Sequence, residues 1–329
     1  MKTSFFLLIL TFTVHYGTAQ KTVGSIERSD PGLDAIIDHT ARAEVIAEGF
    51  TWSEGPLWVE PEQMLLFSDV PENTVYKWTE NGGTEIYLKP SGYTGTIPGH
   101  SKEPGSNGLL LNAGGKLVLC QHGNRQVARM EAPLDEPEPV FHTLADRYNG
   151  KKLNSPNDAV YNSKGELFFT DPPYGLPAQN DNDPTKEIDF NGVYKVTADG
   201  QVVLLTDKIT RPNGIALFPG EKKLLIASSD SNAANWYVLD PENTEKEPEL
   251  FYSATDKRKG LKGLPDGLKI DSRGIVYASG PGGIWIFDRK GKVLGKIRLQ
   301  EPASNVALSG DEKTLYITND MYVLRVRLN

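Results

Sequence analysis

One cysteine, Cys120, is all that the 329 residues contain, so no intrachain disulfide can form and a large apolar core has to hold the fold. Helical periodicity is almost missing. Gly (32) and Pro (22) interrupt any long 3.6-residue pattern, and only Asp34 to Ile46 predicts a short helix. Positive charge is in deficit, with a net charge of −8 at pH 7, which disfavours a nucleic-acid or anionic-membrane partner. No apolar run is long enough to cross a bilayer. The Phe5 to Val14 stretch spans about ten residues, against roughly twenty for a membrane helix. With Lys2 before it and Gly17-Thr18-Ala19 after it, that stretch predicts a signal peptide over 1–19 and a soluble periplasmic or secreted chain beginning at Gln20. A P-loop, a dinucleotide fingerprint, a zinc signature and a GxSxG elbow are all absent, which disfavours nucleotide-dependent chemistry and serine hydrolysis.

What is present is repetition. Glu54-Gly55-Pro56, Ser106-Asn107-Gly108, Pro156-Asn157-Asp158, Pro212-Asn213-Gly214 and Pro265-Asp266-Gly267 each join a polar side chain to small or turn-forming residues, and Ser304-Asn305-Val306 is a weaker sixth copy. The spacing of about fifty residues suits propeller blades better than helical solenoids. After the polar motif comes an alternating stretch, a glycine turn and an apolar strand, as in Gly108 to Leu111, Gly114-Gly115 and Lys116 to Cys120. Each unit reads as a hairpin with a third and a fourth strand behind it. The fold class is therefore all-β, a six-bladed β-propeller with a central metal site. Residues 20–47 form an N-terminal extension, residues 48–329 the propeller, and the strand from Tyr322 to Arg327 helps to close the ring. Equivalent positions of the blades meet at the axis, so Glu54, Asn107, Asn157, Asn213 and Asp266 should converge into an oxygen-rich cage suited to a hard divalent cation.

In these residues the chain resembles the SMP-30/gluconolactonase/luciferin-regenerating-enzyme-like family, from about Glu48 to Arg327. The bacterial gluconolactonase branch is the nearest likeness, through Cys120-Gln121-His122, Asn154 to Asp158, Phe169 to Leu176, Arg211 to Gly214 and Leu264 to Gly267. The resemblance implies a divalent metal at the channel mouth, commonly calcium, with Mg2+, Mn2+ or Zn2+ as alternatives. It implies Glu54, Asn157, Asn213 and Asp266 as ligands and a sugar lactone, of the gluconolactone kind, as substrate. Asn305, in the poor sixth copy, is not assigned to the metal. The Ser228-Ser229-Asp230-Ser231 run departs from the plainer aspartate-led strand end of relatives, which affects the substrate wall.

Two carboxylates and two amide oxygens balance a divalent ion and leave positions open for water or a substrate oxygen. Such an ion polarises an ester carbonyl. Asp266 serves as ligand and as a base for water, and His122, at a strand end, as a second proton-transfer candidate or as a structural histidine. Asp158 supports Asn157 from behind or acts as a base. Asn107 and Arg125 are candidates for binding sugar hydroxyls or a carboxylate, with a salt bridge as the other reading of Arg125. Asp171 and Tyr174 are read as pocket wall beside a polar loop from Pro177 to Asp189, and a second long loop runs from Tyr87 to Pro104. Trp58, Trp78, Trp236 and Trp285 are read as packing between blades. Two other functions fit the same cage: phosphotriester hydrolysis, and calcium-dependent sugar binding without turnover. No obligate protein partner is evident.

Overall fold

The computed structural model describes residues 20–329 apart from Pro98. The predicted signal peptide, residues 1–19, lies outside the described residues. Six antiparallel sheets stand around an axis. Blade one runs from Ser53–Val59 to Gly83–Leu88, blade two from Ser106–Leu111 to Phe141–Ala145, and blade three from Ala159–Tyr161 to Val202–Thr206. Blade four runs from Pro212–Leu217 to Glu249–Ser253, blade five from Leu268–Ile270 to Val293–Arg298, and blade six from Ala303–Leu308 to Tyr322–Arg327. The first strand of each blade packs against the first strand of the next, and the sixth returns to the first. Among the described residues, no helix is long and apolar enough to cross a membrane.

The chain's beginning is woven into this ring. Ala43–Glu48 pairs antiparallel with Tyr322–Arg327 and completes blade six, with Val323 opposite Ala47 and Arg325 opposite Glu44. Ser25–Arg28 adds a fifth strand to blade five, Ser25 opposite Arg298. The segment that the sequence set apart as an extension thus supplies outer strands, and the ring closes on Ala43–Glu48 as much as on the C-terminal strand. The helix expected over Asp34 to Ile46 is a 3-10 turn, Pro31–Ala35, followed by that strand. Asp30 caps the turn by accepting from Gly32 N–H at 2.9 Å. The alternation of Ala43 and Val45 inward decides for strand once Tyr322–Arg327 is available as a partner.

The second strands are buried on both faces because blades pack sheet to sheet. Met64–Asp69, Leu167–Asp171 and Thr314–Asn319 show no exposed residue, which explains their unbroken apolar runs. The hairpin glycines Gly165 (φ +81°) and Gly274 (φ +85°) occupy the left-handed region that their turns require. Between blades four and five Trp236 and Trp285 are fully buried, with centroids 5.9 Å apart. Trp58 stacks on Tyr316 of blade six at 5.1 Å. Near the axis, hydroxyls tie blade to blade. Ser68 Oγ donates to Asn107 O (3.0 Å), Thr170 Oγ1 to Asn213 O (2.6 Å), Ser279 Oγ to Ser304 O (2.9 Å) and Ser304 Oγ to Ser53 O (2.7 Å).

Candidate functional site

The polar motifs are starts of innermost strands. Glu54, Asn107 and Asn213 sit within the first strands of their blades, and Asn157 and Asp266 lie two residues or fewer ahead of theirs. The ladder slips between Glu54 and Leu57, between Ser106 and Leu109, and between Pro212 and Ile215. Such irregularities re-aim a side chain without ending the sheet. The glycine that follows has a steric cause: a Cβ on Gly214 would stand 2.2 Å from Asp266 O. Six strands converge there and leave no room for a side chain.

Glu54, Asn107, Asn157, Asn213 and Asp266 line one axial cavity of about 440 Å³. Oδ1 of Asn107, Asn157, Asn213 and Asp266 are all buried without a hydrogen-bond partner. One orphaned buried acceptor costs on the order of 1–3 kcal/mol, and four around one cavity form a donor set for a ligand. Neighbours fix their direction. Asn213 Nδ2 donates to Ser229 Oγ at 2.9 Å, and Ser229 donates onward to Pro265 O at 2.6 Å, which leaves Asn213 Oδ1 free. Asn157 Nδ2 lies 3.5 Å from His122 Nε2. Burial pushes the Glu54 carboxyl up to about 8, with Asp158 and Glu103 adding to the effect. Burial and then Glu54 hold Asp266 well above the usual carboxylate range. A buried acidic pair with amide oxygens, free of sulfur and imidazole, fits a hard cation of the calcium or magnesium type better than zinc. Among the described residues no three His, Cys, Asp or Glu side chains gather closely enough to hold a metal by themselves, so at the axial cavity the amide oxygens have to complete the set. A slightly larger cavity, about 480 Å³, opens at the opposite strand ends between blades four and five, beside Phe218, Phe251 and Arg273. It holds none of the motif residues, so the orphaned oxygens single out the axial cavity.

Of the other predicted residues, Tyr174 lines the cavity. Asp158 lies off it, where other repeats carry glycine. Its Oδ1 accepts from Ala159 N–H at 2.9 Å and its Oδ2 is 3.8 Å from Lys269 Nζ. Asn305 is also off the cavity, with Oδ1 turned to Val306 N–H at 2.8 Å.

Three further predicted residues lie off the cavity lining, His122 in the structural place that the sequence also allowed, Arg125 and Asp171 away from the substrate contacts expected of them. His122 is fully buried behind Asn157, with Gly175 packed against its Cβ. Burial holds its pKa down at about 3, so the ring is neutral, and it stands behind the cavity lining and not in it. Arg125 gives its guanidinium to the carbonyls of Leu153, Asn154 and Thr185 and so anchors the polar loop. Asp171 accepts from Asn154 N–H and Ser155 N–H, both at 2.8 Å, and braces the turn that delivers Asn157. Trp52, Glu103, Ser229, Ser231 and Arg258 line the cavity and were not assigned there from sequence. The signals were Trp52 two residues before Glu54, Glu103 in the second long loop, and the serine run already noted as a departure.

Fold and cavity together define a six-bladed propeller whose site lies at the axial ends of its innermost strands. Within that class the chain belongs to the family described as SMP-30/Gluconolactonase/LRE-like region, which it matches over residues 52–320. It is 41% identical to the gluconolactonase of Zymomonas mobilis subsp. mobilis, over 93% of this chain and 86% of that protein. It is 30% identical to the lactonase drp35 of Staphylococcus aureus, over 71% of this chain and 65% of that one. The solved structure of a Xanthomonas campestris gluconolactonase superposes with a TM-score of 0.78 at 28% identity, covering 95% of this chain and 99% of the other.

Proposed function

We propose that the protein is a hydrolase that opens a lactone, an aldonolactone of the gluconolactone kind first, to the hydroxy acid, with one divalent cation, calcium first, in the axial cavity. The leader expected at 1–19 supports action in the periplasm or outside the cell. The single observation behind the cation is the set of orphaned oxygens on Asn157, Asn213 and Asp266, joined at the same cavity by Glu54. The lactone rests on the likeness to gluconolactonases over nearly the whole chain.

Glu54, Asn157, Asn213 and Asp266 would hold the ion. When bound, it supplies Lewis-acid polarisation of an ester carbonyl. The rest is done by the chain. Asn107 Oδ1 adds an acceptor to the cavity wall for a sugar hydroxyl. Trp52 and Tyr174 give aromatic surface for the apolar face of a ring. Ser231 and Arg258 present donors around it. A volume of about 440 Å³ lies in the usual range for small-molecule sites.

The test is proton release by residues 20–329 against sugar lactones, aliphatic lactones and a phosphotriester, with EDTA and with calcium restored. Turnover of sugar lactones that stops on chelation and returns with calcium is the expected result. A preference for the phosphotriester, or saturable sugar binding without turnover, would replace this reading with one of the two alternatives.

A further inference from the structure

One carboxylate at the cavity is left without a task. Glu54 and Asp266 belong to the cage, and Asp158 is off the cavity beside Lys269. Glu103 lines the cavity from the long loop ahead of blade two, outside the repeat that supplies every cage residue. Its side chain is about one quarter exposed (26%), and its Oε2 lies 3.6 Å from Nδ1 of the fully buried His122. The opposite ring nitrogen, Nε2, faces the Asn157 Nδ2 amide at 3.5 Å. An amide NH2 can only donate, so Nε2 is the acceptor and the ring proton sits on Nδ1, towards Glu103. Nδ1 makes no close hydrogen bond, and the Glu103 main chain, not its carboxylate, is the hydrogen-bonding group that opposes the effect of burial on the ring. The neutral imidazole therefore stands between a cage amide and the loop residue Glu103, 3.6 Å from its carboxylate.

We propose that Glu103 is a catalytic residue of the lactone-opening reaction, taking a proton from the attacking water and passing it to the departing ring oxygen, with His122 as its positioning residue. The proposal rests on the lactone reading above. The water oxygen bonds to the carbonyl carbon as one of its protons moves to the Glu103 carboxylate. The bond from that carbon to the ring oxygen then breaks, and the proton goes to the alkoxide. Lactone and water become the hydroxy acid, and Glu103 returns to its starting state. Burial, opposed by a hydrogen bond from Gln179, brings Glu103 to about 7, a range suited to giving and taking a proton near neutrality. The charged or titratable groups around it are His122 behind, Glu54 and Asp266 on the cavity floor, and Arg258 on its wall.

Glu103→Gln keeps the shape and removes the proton acceptor. Calcium binding, melting temperature and lactone kinetics of this variant are to be measured beside the wild type, with a pH profile of kcat/KM. Expected are a kcat lower by roughly 10²–10⁴-fold, a KM within about threefold, unchanged calcium affinity, and loss of the limb near pH 7. Glu103→Ala should regain rate with added formate. A Gln variant retaining more than about one third of wild-type kcat overturns the proposal. So does a rate loss that tracks lost calcium binding, and so does an Ala variant that formate leaves inert. Wild-type protein that opens no lactone overturns the functional reading instead, and this proposal with it.

Discussion

The acidic pair in the cage predicts that cation binding and proton release are one event. Glu54 moves from 4.5 to about 8, worth on the order of 5 kcal/mol if it titrated alone. Because Glu54 and Asp266 repel one another, a few kcal/mol is the realistic scale for the pair. Both folded values lie above the unfolded ones. The contribution to stability is therefore complete below about 4.5 and is lost as pH rises towards 8 in cation-free protein. Calcium should reverse the trend, since it would bind the ionised forms. Calorimetric titration in buffers of different ionisation enthalpy should return one to two protons released per ion at pH 6, and fewer as pH rises past the Glu54 value of about 8. Apparent affinity should climb over the same window. The rise in Tm on adding calcium should be larger at pH 8 than at pH 5 by several degrees, at roughly 2 °C per kcal/mol for a chain of this size. Calcium binding without proton release at pH 6, or a stabilisation equal at both pH values, would refute the idea that one ion bridges Glu54 and Asp266.

Gly214→Ala puts a Cβ 2.2 Å from Asp266 O. It should cost about 1–3 kcal/mol in urea unfolding and weaken calcium binding, whereas Gly220→Ala, at φ +89° with open space around it, should cost about 1–2 kcal/mol and leave affinity unchanged. Ser229→Ala removes the acceptor that holds the Asn213 amide and should lower calcium affinity about 10–100-fold, measured by competition with a chelating dye, while the melting temperature without cation stays close to that of the wild type.

The blades were legible because each repeats the same pattern of turn glycine and apolar strand, so an error in one copy is corrected by the others. Ala43–Glu48 belongs to no such copy. Its partner, Tyr322–Arg327, lies at the far end of the chain, and a pairing of that range leaves no local trace. That Glu54, Asn107, Asn157, Asn213 and Asp266 meet at one cavity was legible for the same reason as the blades: they stand in register with the strands that follow them. His122, Arg125 and Asp171 are polar residues close to the axial end of the strands, and sequence cannot say whether such a side chain faces the cavity or turns back to a neighbouring backbone. Asp171 turned back because Asn154 N–H and Ser155 N–H needed an acceptor. Glu103 and Arg258 sit in loops without a repeat, where position is set by what the loop packs on and not by any period.

Blade six pairs a strand made early in synthesis with one made much later. Until Tyr322–Arg327 has left the ribosome, Ala43–Glu48 has only the two-residue strand Thr22–Val23 beside it, and its other edge stays open. Closure of blade six thus waits for the late strand, and until then the nascent chain carries an adhesive edge. Two half-finished chains held close together could trade that strand and lock as a pair of interlinked rings. A circular permutant whose new ends fall between blades, with the old ends joined by a linker, would give blade six a local hairpin partner and remove that hazard.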